Sequence, residues 1–535
     1  SPIIINRLIN KYYNLISFKI INIKEKYIKK YKKIIMGCDN TKTSEEVPKF
    51  KRLNKRRVTQ SKNKDIRKSY EFISMLGNGS FGKVRLYRDR NYKDLLFAIK
   101  TLKKEGIPPY QFNLLKSEVN ILSNLDHPNI VKYFGTFEDE YYIHIVMEYL
   151  KGQDLFKIIS LKNYTGFDEK NMCQIIQQLL KALSFIHSKN IIHRDIKPEN
   201  ILFSYKRNYT TLKLIDFGLA TFSKEDNKSV GTPFYMSPEM IDGHAAPASD
   251  MWSVGVIVYQ MITGKLPFES SENESLYDKI KNNDYNKEYL VDKECSDEAK
   301  DFIDKTLQKD IKLRLTTQEG LNHPWIQKFC TKNIDSNLVN DETIEIFLKF
   351  SQKSILQKEI YYFIAKVSNE IDITKSKEFF NHLDLNNVGS LSLEEIKYGF
   401  EKNGIEIEAD VLQEIFEGLD FHGAGKVNYS EFLSAMVSSK KFEKEEKLTS
   451  VFNLLKENEQ NKNYITFESL LNITKALNLK INEVEIKKCF EELDDKIYFE
   501  EFKKLILDEE KDEHKENILL KNKKYRRSFS KHITH

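Results

Sequence analysis

The chain has 535 residues, too many for one ordinary hydrophobic core, so several domains are expected. Its 85 basic and 79 acidic side chains nearly balance, at a formal net charge of +6, and this gives no reason to expect a nucleic-acid partner. The five cysteines, Cys38, Cys173, Cys295, Cys330 and Cys489, show no paired spacing, which fits a reducing compartment and argues against a zinc or disulfide framework.

No apolar run reaches membrane-spanning length. Residues 1–35 are almost entirely Ile, Asn, Lys, Tyr and Leu, and precede the first methionine, Met36. They read as an extension, with Met36 as the start. Met36 opens "MGCDNT", the N-myristoylation pattern with Gly37 as acceptor, and Cys38 beside it is a palmitoylation candidate. A single acyl chain holds a membrane only marginally. The second lipid and the basic stretch at 49–68 are what would make anchoring stable. Residues 36–69 are therefore expected as a lipidated, basic tail, and the protein as cytoplasmic and peripherally membrane-associated. A solvated tail is the plainer alternative.

From Tyr70 the apolar and polar residues alternate, as in paired strands. Within this stretch Gly77, Gly79 and Gly82 precede Val84 at the spacing of a hairpin that closes over phosphates. "FAIK" ends in Lys100, and "LLKSEVNILSNLDHPNIV" reads as an amphipathic helix carrying Glu118, a partner that would keep the lysine charged and aimed. "IIHRDIKPENIL" contains Asp195, Lys197 and Asn200; "LKLIDFGLA" contains Asp216; "GTPFYMSPEM" contains Thr232 and Glu239; and "RLTTQEGLNHPW" contains Arg314. "SDMWSVGVIVYQMITGKLPF" reads as a buried helix with Asp250 at its start.

In this order the motifs resemble a eukaryotic-type protein kinase over residues 70–326. The resemblance implies an α+β bilobal fold. It implies Asp195 at the substrate hydroxyl, Lys197 at the γ-phosphate, Lys100 on the α- and β-phosphates, and Asn200 with Asp216 on Mg²⁺. Leu76, Gly77, Gly79, Gly82, Val84, Lys100, Glu118, Glu148, Leu150 and Asp154 would form the ATP site, with Met147 as gatekeeper. "DIKPEN" and "GTP" resemble serine/threonine rather than tyrosine kinases, and no expected catalytic position is substituted. Asp154 and Glu199 could bind a ribose hydroxyl or a substrate arginine, so substrates with basic residues near Ser or Thr are expected. Lys228 stands where many such kinases carry a phosphorylated threonine, and Ser229 is a weak alternative.

Beyond Trp325, apolar residues recur at helical spacing over residues 327–372, which read on their own as a packing helix. "DLNNVGSLSLEE" then places Asp384, Asn386, Ser390, Ser392 and Glu395 at the ligand positions of an EF-hand loop, with Gly389 at the bend and Val388 removing one ligand. "DFHGAGKVNYSE" places Asp420, Lys426 through its carbonyl, Asn428 and Glu431 likewise, but His422 and Ala424 remove two side-chain ligands. Leu391 and Val427 fall where two such loops pair through a short strand. Two further units keep the helices without the loop chemistry.

Kinase, junction and four EF-hand units in this order resemble the calcium-dependent protein kinases of plants and protists. The resemblance implies a calcium-regulated serine/threonine kinase using ATP, Mg²⁺ and Ca²⁺, with residues 327–372 as an autoinhibitory junction helix, and a monomer is expected. The chain departs from the family in calcium chemistry that degrades from front to back, so Ca²⁺ is expected to be held weakly and read by the first pair only. Residues 373–440 would be that pair, 441–508 the degenerate pair, and 509–535 a basic tail. The competing expectation is an active kinase whose EF-hand lobes are a calcium-independent scaffold or docking module.

Overall fold

In the computed structural model of the chain, the described residues are 66–78, 82–90, 95–161, 167–206, 208–222, 229–270, 274–291, 295–330, 340–367, 370–439, 445–456, 463–476, 481–507 and 525–527. Gly37, Cys38, Gly79, Lys228 and residues 1–35 lie outside them.

Strands β1 (Tyr70–Asn78), β2 (Lys83–Asp89), β3 (Leu96–Lys103), β4 (Tyr133–Glu138) and β5 (Tyr142–Glu148) form an antiparallel sheet in the order β1-β2-β3-β5-β4. The alternation read from the sequence puts Ile99 and Val146 on one face, where they bury against Ile66 and Phe134. Lys100 and Ile145 form a register pair within the same sheet. Helix α1 (Pro109–Ser123) enters on a proline at its first position, where no N–H is required, and buries Leu115, Val119 and Leu122.

The second lobe is helical. Helix α2 (Glu169–Ser188) is capped by Asp168, which accepts from Asn171 N at 2.9 Å. Helix α3 (Pro247–Thr263) is buried almost throughout, as its apolar run predicts, and stops at Gly264 in the left-handed region at φ 74°. The short strands β6 (Ile201–Phe203) and β7 (Leu212–Leu214) pair beneath the catalytic loop.

The segment expected as a single junction helix is two helices, α4 (Asp341–Ser351) and α5 (Ile355–Val367). The break has a local cause. Ser354 and Gln357 make a reciprocal cap, with Ser354 N donating to Gln357 Oε1 and Gln357 N to Ser354 Oγ, and this starts a new helix. Both helices bury their apolar faces (Ile344, Phe347, Phe350, Ile360, Phe363, Ile364) in the core of the EF-hand region.

That region continues with α6 (Glu370–Leu383), β8 (Ser390–Leu391), α7 (Leu393–Lys402), β9 (Ile405–Ile407), α8 (Ala409–Leu419), β10 (Val427–Asn428) and α9 (Tyr429–Ser438). Leu391 pairs with Val427, as their shared loop position predicts. The degenerate pair follows as α10 (Glu445–Leu455), β11 (Tyr464–Ile465), α11 (Phe467–Ala476), α12 (Glu483–Glu492), β12 (Ile497–Tyr498) and α13 (Phe499–Leu507). Ile465 pairs with Ile497, so the loop-to-loop strand survives without the ligands. From the tail, β13 (Tyr525–Arg527) adds antiparallel to β9. Among the described residues, no helix is long and apolar enough to cross a membrane.

Candidate active site and calcium loops

Lys100 is buried, and its Nζ lies 2.5 Å from Glu118 Oε1 and 2.9 Å from Asp216 Oδ1. Burial alone would lower its pKa; the two carboxylates outweigh that and raise it, so the ammonium stays charged. The sequence pairing of Lys100 with Glu118 therefore holds, and it ties α1 to the sheet.

Asp195 is buried among donors. Its Oδ2 accepts from Lys197 Nζ at 2.6 Å and Asn200 Nδ2 at 3.0 Å, and its Oδ1 accepts from Thr232 Oγ1 at 2.6 Å. Lys197 also donates to Thr232, at 2.8 Å. The backbone carrying these groups is held from below. Asp250 accepts from His193 N and Arg194 N, both at 3.0 Å, and lies 2.8 Å from His187 Nε2. These bonds hold Arg194 at φ +65°, an uncommon conformation for a side chain of that size. Phe217 is fully buried and meets the His193 ring edge-on at 4.8 Å.

A cation fits here. Asp216 presents a carboxylate next to Lys100, and Asn200 spends its amide N–H groups on Asp195, so its amide oxygen is the group a metal would use. Bound Mg²⁺ would neutralise phosphate charge at these two side chains.

The nucleotide-site expectations divide. A side chain at Gly82 would run into Thr101 O, so this glycine is required by close approach to β3, whereas one at Gly77 would meet open space. Met147 and Leu150 are buried. The Glu148 carboxylate turns aside, accepting from Lys132 N at 2.6 Å and lying 3.1 Å from Lys213 Nζ, so only the backbone of Glu148 remains for a nucleotide. Asp154 accepts from Lys157 N at 2.8 Å at the start of Leu155–Leu161, and its other oxygen is 2.8 Å from Lys157 Nζ. Leu76 and Val84 lie on β1 and β2, on either side of the loop. Glu239 and Arg314 form the expected buried two-point pair, at 2.6 and 3.0 Å.

In the first calcium loop, Asp384 accepts from Val388 N and Gly389 N at 3.0 Å, and Asn386 Oδ1 accepts from Val388 N at 3.0 Å. Ser392 and Glu395 form the capping box of α7, so the ninth and twelfth loop positions also start the exit helix. Ser390 sits on β8. Burial, helped by Glu395, pushes the Asp384 carboxyl up to about 6 despite backbone donors and Lys181. Glu395 Oε1 accepts from Leu385 N at 3.1 Å and Asn386 N at 3.3 Å, so both acids are turned into the loop, and an all-oxygen side-chain set of this kind suits calcium.

The second loop is different. Asp420 accepts from Ala424 N at 2.8 Å and Gly425 N at 2.7 Å, the same closure as in the first. Glu431 Oε2 accepts from Asn428 N at 2.7 Å, but Oε1 is 2.7 Å from His422 Nδ1. The other ring nitrogen, Nε2, lies 3.2 Å from Glu359 Oε1 on α5. Burial would lower the His422 pKa; the two glutamates outweigh this and raise it to about 9. Lys426 and Asn428 keep their loop positions, yet a protonated nitrogen ring on the twelfth-position carboxylate does not fit calcium, which takes oxygen ligands.

Sequence reasoning missed the groups that join the two regions. Asp126, just past α1, accepts from Ser430 N (3.0 Å) and Ser430 Oγ (2.8 Å) at the start of α9, and from Lys366 Nζ (2.9 Å). Lys132 donates to Ala365 O and Lys366 O, at 3.3 and 3.2 Å, at the end of α5. An anion thus meets a helix start and a cation a helix end, each matched to the helix dipole. The first loop also rests on the kinase lobe. A side chain at Gly389 would come within 2.6 Å of Phe185 on α2 and 2.9 Å of His127, and Gln318 Nε2 donates to Asn386 O. In each contact the two members lie far apart in sequence, and isolated charges read as solvated surface.

The lobes and catalytic groups define a protein serine/threonine kinase. The protein kinase domain model matches residues 70–326, and the EF-hand domain pair model matches 373–437. The chain is 32% identical over 455 residues to calcium-dependent protein kinase 7 of Arabidopsis thaliana, covering 82% of each chain. It is 35% identical over 327 residues to calcium-dependent protein kinase 5 of Plasmodium falciparum, covering 60% of this chain and 56% of that relative, little more than half its length. The chain belongs to the calcium-dependent protein kinase family.

Proposed function

We propose that the chain transfers the γ-phosphate of ATP to serine or threonine in proteins, under the control of calcium at the first EF-hand loop. The observation that carries the calcium reading is the position of that loop. Its buried carboxylates, Asp384 and Glu395, belong to a loop whose Gly389 presses on Phe185 and His127 of the kinase lobe. A calcium ion there would neutralise the two acids. The loop then keeps its shape against α2, and the front pair, through Ser430, holds Asp126 just past α1, which carries Glu118.

Control by the junction follows from the same contacts. In the docked arrangement α4 and α5 are packed in the EF-hand core, and their hydrogen bonds to the kinase lobe fall at Lys132 and Asp126. Release of the front pair would free the junction to inhibit the catalytic lobe. The degenerate pair acts as a fixed clamp: Gln357 Nε2 and Tyr361 Oη of α5 donate to Leu505 O and Ile506 O, at 2.7 and 2.6 Å. Glu199, exposed beside the catalytic loop, supports a preference for basic residues near the acceptor. The protein works as a monomer. Glu395→Gln should hold the phosphorylation rate in calcium down to the wild-type rate in chelator; full calcium activation of this variant would refute control by the first loop.

The N-terminal pattern supports attachment to membranes through Gly37 and Cys38, with the basic stretch at 49–68 as the second contact. A chain starting at Met36 should sediment with anionic vesicles when co-expressed with a myristoyltransferase, and Gly37→Ala should release it. Equal sedimentation of the two would contradict the anchoring.

A further inference from the structure

We propose that the second EF-hand loop takes no calcium because His422 closes it from within, and that through Glu359 the same side chain latches α5 to the loop independently of calcium. The proposal rests on the reading of this region as an EF-hand pair with a calcium site in the first loop.

An EF-hand loop holds calcium when the twelfth-position glutamate is free to ligate it together with the first-position aspartate. In the first loop that glutamate, Glu395, rests on backbone donors alone. In this loop a histidine side chain holds it. Glu431 is fully buried, with one oxygen on Asn428 N and the other 2.7 Å from His422 Nδ1. Histidine occupies the third position, whose side chain would otherwise reach the metal, and Ala424 at the fifth offers no ligand. The loop nevertheless has the closed form. Asp420 holds Ala424 N and Gly425 N, and Val427 pairs with Leu391.

The second carboxylate comes from outside the loop. Glu359 is 3% exposed, neither of its oxygens has a hydrogen bond among the described residues, and His422 Nε2 is 3.2 Å away. A buried carboxylate is costly to leave without a polar group facing it, and the His422 ring nitrogen is the group that faces this one. The imidazole lies between the two glutamates, with the Tyr362 ring edge-on at 5.0 Å. The bridge fixes α5 relative to the start of α9. These two helices present Lys366 and Ser430, both of which grip Asp126 of the kinase lobe. The second hand thus supplies a permanently closed partner for the first.

Calcium binding to the full chain by titration calorimetry tests this, with Glu395→Gln and His422→Asp as variants. One equivalent in the wild type, lost in Glu395→Gln and joined by a second in His422→Asp, is the expected result. Two equivalents in the wild type, or one retained by Glu395→Gln, would overturn the proposal. If the wild type binds none, the first-loop reading fails on its own; a gain of binding in His422→Asp then still supports closure by histidine, and no gain overturns it. Hydrogen exchange tests the latch. In chelator, Glu359→Gln should speed amide exchange across residues 355–367, and unchanged exchange would show that Glu359 holds nothing.

Discussion

Asp195→Asn should lower the rate of phosphoryl transfer by about 10²–10⁴-fold, the range for loss of a positioned proton acceptor. The carboxylate collects Lys197, Asn200 and Thr232 within 3.0 Å, so it is aimed before any substrate arrives. Asparagine matches it in size but must turn an amide N–H toward one of these donors and can no longer accept the substrate proton. The fold should survive, because the loop backbone is held by Asp250 and not by Asp195. Initial rates on a serine peptide, with thermal unfolding of the same preparations, check both halves. Near-normal turnover would remove Asp195 from the role given to it. Lys100→Met should be comparably damaging, since it leaves Glu118 buried without its cation.

The next largest effect is expected far from the chemistry. Asp126→Ala removes the acceptor for Ser430 N, Ser430 Oγ and Lys366 Nζ together. Burial would raise the Asp126 pKa, but Lys366 and Ser430 more than offset this and hold it below the usual carboxylate value, so the group is an anion at neutral pH. Cutting one member of a partly buried charged pair costs about 2–5 kcal/mol. That is roughly 30- to 4,000-fold in a docking equilibrium, at 1.4 kcal/mol per decade. Amide exchange near Lys132 and across the start of α9 should rise in the calcium-loaded full chain, while protection of α3 is kept. Unchanged protection at those amides would mean that Asp126 does not hold the two regions together.

The catalytic half of the molecule was legible because its chemistry is local in sequence. Asp195, Lys197 and Asn200 fall within one short turn, and the spacing from Gly77 to Lys100 is that of one hairpin and its neighbouring strand. Glu239 with Arg314 was legible only through resemblance, since 75 residues separate them. The EF-hand loops were legible as spacing, and the pairing of Leu391 with Val427 followed from it. What His422 does was not. A histidine at the third position reads as a lost ligand, and its role depends on Glu359, which looks like one more solvent-facing acid on a lysine-rich helix. The break between α4 and α5 was also missed, although Ser354 and Gln357 carry the capping signal, because the apolar period runs through it unbroken.

Calcium at the first loop, acting through the docked front pair on the helix that carries Glu118, is tested most directly by one comparison. A single preparation of the full chain is assayed for peptide phosphorylation in calcium and again in chelator. A coupling of about 1–3 kcal/mol between calcium and docking corresponds to roughly 5- to 150-fold, and a fall in rate within that range is the predicted result. Equal rates in the two conditions would contradict it and leave the EF-hand lobes as a calcium-independent scaffold.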